Sequence, residues 1–172
     1  MPANLNYHTG LFGFGTNGLV PVASANDVLT IVAGPGRITK VHRVIFSGGA
    51  GALIFVNINA ILRGAADSGG TATNPPIIPL GATVPTALPV ASTVVSAYTA
   101  NPTPGSPFIG SIGSIRLPLV DGSASNTGPR PWDFDWRMSP VVLGPGMNLA
   151  FNFGSVTITT GNFSILGVIS EE

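Results

Sequence analysis

The chain has 172 residues with seven basic and seven acidic side chains, so its formal net charge is zero and only 8% of it is charged, against about 25% in a typical soluble domain. Such a composition excludes a polyanion-binding surface, because nucleic-acid affinity comes mainly from Lys and Arg neutralising phosphates. Cysteine is absent, which excludes disulfides and thiolate metal sites, and no cofactor is expected.

In chain order, residues 1–18 come first. They are rich in Asn and Gly and carry Tyr7, Leu11, Phe12 and Phe14. Glycines at 10, 13, 15 and 18 each cost backbone entropy to fix. The segment reads as an extended arm whose apolar anchors order against a partner, with residues 19–172 folding without it as one sandwich domain. Residues 13–18 (GFGTNG) match G-x-G-x-x-G, but a dinucleotide site needs a strand before the motif and a helix after it. Leu19, Val20 and Pro21 do not open such a helix.

From there, short runs of Val, Ile, Thr and Phe alternate with Gly and Pro. The pattern predicts many short strands and no helix. Strands are predicted over 28–33 and 37–46, separated by the turn Gly34-Pro35-Gly36. His42 lies in the second of these and reads as a packed or surface histidine. The only other histidine is His8, so no metal site is expected. Residues 51–63 place Ala52, Ile54, Val56, Ile58, Ala60 and Leu62 on a wholly apolar face, and Leu53, Phe55, Asn57, Asn59, Ile61 and Arg63 on a mixed one. Residues 65–89, with five prolines, and 101–107, with three, read as long loops. Strands follow over 92–98, 111–120, 132–137, 147–153, 156–160 and 163–170, with a second Gly-Pro-Gly turn at 144–146.

Two of these strands alternate cleanly. Met147, Leu149, Phe151 and Phe153 face inward, with Asn148, Ala150 and Asn152 outward. Trp132, Phe134 and Trp136 face the core, opposite Asp133, Asp135 and Arg137. Asp133 and Asp135 could serve acid–base chemistry or, with Asp121, a calcium ion. The simpler reading is a salt-bridged outer face, with Arg137 as counter-charge. The aromatic stripe could likewise be a sugar platform, but a core stripe is the simpler reading. Hydrolase and metalloprotease motifs are missing, and the chain reads as a non-enzyme.

No apolar run reaches the ~20 residues of a membrane helix. Residues 1–10 have neither the basic nor the apolar region of a signal peptide. No membrane contact is expected, and the Asn162-Phe163-Ser164 sequon reads as idle. The fold class that emerges is an all-β antiparallel sandwich with long Pro/Gly-rich loops. The low charge and the outward Leu53, Phe55 and Ile61 predict a homo-oligomer, since exposed apolar patches mark interfaces.

Residues 96–105 (SAYTANPTPG), 131–134 (PWDF) and 141–146 (VVLGPG) leading into 149–152 (LAFN) resemble small structural proteins of tailed bacteriophage virions. The likeness runs from Thr39 to Glu172 and rests on strand order and turn chemistry. It implies a jelly-roll-like sandwich without catalytic activity, often trimeric, located in the virion. It also implies a partner, either the major capsid protein or a neighbouring copy. Two roles follow from it: a head decoration or cement subunit, or a receptor- or glycan-binding module of a fibre or tail appendage.

Overall fold

The computed structural model describes residues 10–19, 27–50, 54–80, 90–96, 98–119, 132–154 and 161–172. Among them are eleven strands and no helix: β1 (Gly10–Leu19), β2 (Asp27–Val32), β3 (Thr39–Ala50), β4 (Ile54–Arg63), β5 (Ile77–Pro79), β6 (Thr93–Ser96), β7 (Phe108–Leu119), β8 (Trp132–Asp135), β9 (Val141–Leu143), β10 (Asn148–Asn152) and β11 (Gly161–Glu171). The predicted strand over 156–160 lies outside the described residues.

Two antiparallel sheets face each other. Sheet A runs β5-β1-β11-β3-β8, with β9 also paired to β3; sheet B runs β6-β2-β10-β4-β7. If β5 and β6 are set aside as accessory edge strands and β8/β9 are counted as one interrupted strand, the principal strands number eight. Their orders are then 1-8-3-6 and 2-7-4-5. That is a jelly roll: consecutive strands alternate between sheets except 4 and 5, which pair as neighbours in sheet B, and the first pairs with the last.

The core is what the period-two pattern dictates. Sheet A contributes Phe12, Phe14, Val41, Val44, Phe46, Phe134, Phe163, Ile165 and Ile169; sheet B contributes Leu29, Ile31, Val56, Ile58, Leu149, Phe151 and Phe153. Phe151 packs across the gap on Phe46 at 5.2 Å and Phe134 at 5.3 Å between ring centroids. Trp136 joins them, half-buried, 5.4 Å from Phe134. Phe134 and Trp136 thus take the core positions expected of them; the Trp132 side chain lies outside the described residues. Both Gly-Pro-Gly steps are turns, with Gly36 at φ 69° and Gly146 at φ 76°, the left-handed region that glycine alone enters freely. They lie side by side, tied by Ala33 N–H to the Met147 carbonyl at 2.9 Å and Gly146 N–H to the Ala33 carbonyl at 3.1 Å.

The structure corrects two expectations. Of the expected arm 1–18, residues 1–9 lie outside the described residues, but 10–18 form β1, paired with β11 from Gly10 opposite Glu171 to Leu19 opposite Phe163. Gly13 and Gly15 on β1, and Gly167 on β11, sit where other side chains approach closely. A Cβ on Gly167 would sit 2.0 Å from Phe14 Cζ, so Phe14 fits only against a bare backbone. Second, the outward residues Asn148 and Ala150 are fully buried. The Pro-rich segments 64–80 and 98–107 do not stand away from the body. Residues 64–76 and 98–107 fold over the outer face of sheet B as a roof, before 77–79 join sheet A as β5, and are stitched together by Ser68 N–H to the Thr103 carbonyl (3.0 Å), its reciprocal (2.7 Å), and Gly64 N–H to the Pro107 carbonyl (2.8 Å). A second stitch joins Thr73 to Ser96 by two bonds of 2.8 Å.

Candidate functional site

Two regions outside the core carry chemistry: the open outer face of sheet A and the roofed outer face of sheet B. On sheet A, β1, β11 and β3 bring Gly13, Gly15, Leu166, Val168, Arg43 and Ile45 to one surface, with Ile78 and Leu80 beside them. They line a groove of about 430 Å³. Its floor is low because two glycines make it: a Cβ on Gly13 would come within 2.9 Å of Leu80 Cδ2, and one on Gly15 within 2.9 Å of Leu166 Cδ2. Leu11, Ile78, Leu80 and Leu166 are each more than half exposed. Single exposed apolar residues are ordinary, but a contiguous set is the mark of an interface.

Toward β8 the same face turns charged. Arg43 donates from Nε to Asp133 at 2.9 Å and from its terminal nitrogen to the second oxygen. Arg137 holds Asp135 in the same bidentate way, from Nε at 2.8 and 3.0 Å. These bonds pull the Asp135 carboxyl down to about 2. Each carboxylate is therefore held by its own arginine, and among the described residues no three acidic or imidazole groups converge on one point. Asp121 lies outside the described residues. His42 is half-buried with Nε2 2.8 Å from Ser170 Oγ. Burial, and then Lys40, lower its pKa.

The roofed side holds a feature that strand patterning did not find. Arg63, at the end of β4, donates to Asp27 through both terminal nitrogens (2.8 and 3.2 Å) and to Asp67 through one (2.7 and 2.8 Å). Asn152 Nδ2 donates to Asp27 at 2.7 Å. Asn148 Nδ2 (2.8 Å) and Gly105 N–H (2.9 Å) donate to Asp67. Beside them Tyr98 and Thr30 share a hydroxyl bond of 2.6 Å. Burial pushes the Tyr98 hydroxyl up to about 12. The three charged side chains are no more than 5% exposed. Signals for the cluster were present: an arginine ends an otherwise neutral strand, an aspartate follows four residues later, and Asp27 immediately precedes the apolar run 28–33. What joins them is the sheet register, which is not local.

Of the expected partner-interface residues, Leu11 is exposed on the outer face of sheet A. Phe12 and Phe14 are buried in the core and are unavailable to a partner. Phe55 is exposed on the outer face of sheet B, with the Arg116 guanidinium 5.6 Å from its ring centroid, a cation–π geometry. Ile61 is half-buried, two residues before Arg63 on β4. Tyr7 and Leu53 lie outside the described residues. The G-x-G-x-x-G match lies within β1, with no helix following it among the described residues.

Fold and surface together define an antiparallel jelly-roll sandwich with one open apolar face and one roofed polar one. No protein family matches the chain, and neither does any curated protein or solved structure.

Proposed function

We propose that the chain is a structural subunit of a phage virion, a capsid decoration or cement protein that self-associates and attaches through subunit contacts. The observation that carries this reading is the glycine-floored apolar groove on sheet A, bordered by Leu11, Ile78, Leu80 and Leu166. Leaving it open exposes apolar area worth about 25 cal/mol per Å². With a net charge of zero, little electrostatic repulsion opposes association. The bidentate engagement of Asp133 and Asp135 by separate arginines supports a non-catalytic role for that pair.

In light scattering at micromolar concentration the full chain is expected to be an oligomer, with a trimer favoured, and to co-sediment with assembled particles. Leu166→Glu places a charge in the groove at an exposed position, where surface substitutions cost within about 0.5 kcal/mol of fold stability. It should give a folded monomer that no longer co-sediments. A wild-type monomer that leaves particles bare would sink the proposal.

A further inference from the structure

The roof over sheet B is fastened at a point where the charges do not balance. Asp27 (on β2) and Asp67 (on the roof) share one guanidinium, that of Arg63 on β4. The other groups facing them are neutral: Asn148 and Asn152 from β10, the Gly105 N–H, and the Thr30–Tyr98 hydroxyl pair. No second cation reaches the carboxylates among the described residues. Two buried carboxylates against one arginine leave one net negative charge in a place from which water is excluded. A buried charge without a partner is expensive, and the usual relief is to bind a proton.

We propose that this cluster is a proton-binding latch: one proton taken up at Asp67 fastens the roof segments 64–76 and 98–107 to sheet B, and its loss as pH rises loosens them.

Three observations bear on it. Asp67 is the only member of the ionic cluster that belongs to the roof, and through Gly105 it also grips the second roof segment. The Asn148 Oδ1 atom is fully buried and has no hydrogen-bond partner. An amide flip turns that oxygen toward Asp67, supplying an acceptor for a protonated carboxyl where the charged form uses a donor. Burial, chiefly, raises the Asp67 pKa; Asp27 adds to this, and Arg63 and the Gly105 N–H oppose it. A carboxyl raised in the folded state contributes stability that is complete below its unfolded pKa and is lost as pH rises through its folded pKa. The roof is therefore tightest in mild acid.

The test is amide hydrogen exchange on the full chain at pH 5 and pH 8, corrected for intrinsic rates. The roof amides of Ser68, Thr73, Thr99 and Thr103, each bonded to a roof or β6 carbonyl, are expected to be protected about tenfold more at pH 5 than at pH 8, while amides of β10 and β3 keep equal protection. Asp67→Asn keeps the side chain's shape without the charge and should leave the roof equally protected at both pH values. Equal roof protection in the wild type overturns the proposal, and so does a pH difference that persists in Asp67→Asn. Should Asp67→Asn not fold, the carboxyl carbon signals of wild-type aspartates decide. One aspartate titrating well above the usual range of about 4 upholds the latch, and every aspartate titrating within or below that range overturns it.

Discussion

Arg63→Met should lower the unfolding free energy at pH 7 by about 3–5 kcal/mol, the cost of removing one partner from a buried ion pair. Methionine fills much of the arginine's volume, so packing loss is small and the effect is electrostatic. Asp27 and Asp67 would face each other, buried, without the guanidinium that both now bind. The remaining donors are two asparagine amides and one backbone N–H, which cannot neutralise two charges. The loss should shrink at pH 5, because without Arg63 the Asp67 carboxyl is driven further toward its neutral form. Its pKa is then raised further in the folded state, and the stability it contributes is lost as pH rises through that raised value. Urea denaturation at the two pH values measures both effects. The control is Arg137→Met. It breaks an ion pair of similar geometry whose arginine is 63% exposed, and should cost far less, because solvent screens an exposed pair. If Arg63→Met costs as little as Arg137→Met, the cluster does not hold the roof.

What the sequence made legible was local. The alternation over 51–63 placed Val56, Ile58 and Ala60 in the core, where they are fully buried. Pro and Gly at successive positions fixed two turns, because φ preferences act within a single residue. The other face of each strand was harder. Asn148 and Ala150 look outward by periodicity and do point away from the core, yet they are fully buried. Their cover comes from chain segments more than forty residues earlier, such as the one that brings Asp67 to Asn148. Period two reports which face a side chain takes, not what lies above it. The Arg63 cluster is invisible to local patterning for the same reason: it joins Asp27 to Arg63 across 36 residues, through a strand that lies between theirs. The clearest misreading was at the chain's start. Glycine spacing suggests flexibility, yet those glycines sit in a strand whose partner begins about 150 residues later.

That misreading can be tested at one side chain. Phe14→Ala should destabilise the sandwich by about 3–5 kcal/mol, the usual cost of deleting a buried phenyl ring. Phe14 is 4% exposed and lies among the core residues; a Cβ on Gly167, across the β1–β11 ladder, would come 2.0 Å from its ring. An arm that ordered only on a partner would give a different result: the isolated subunit would melt as the wild type does, and only assembly would suffer. The contact with Gly167 supplies an internal check. Gly167→Ala alone forces a methyl into the space of the phenyl ring and should cost about 1–3 kcal/mol through overpacking. Combined with Phe14→Ala, the methyl enters a vacated site. The double variant should then be more stable than the sum of the two single losses by about 1 kcal/mol or more, as expected for residues in direct contact. Strict additivity would mean that ring and backbone do not touch in solution. A Phe14→Ala variant with unchanged stability would return β1 to the arm that the glycines first suggested.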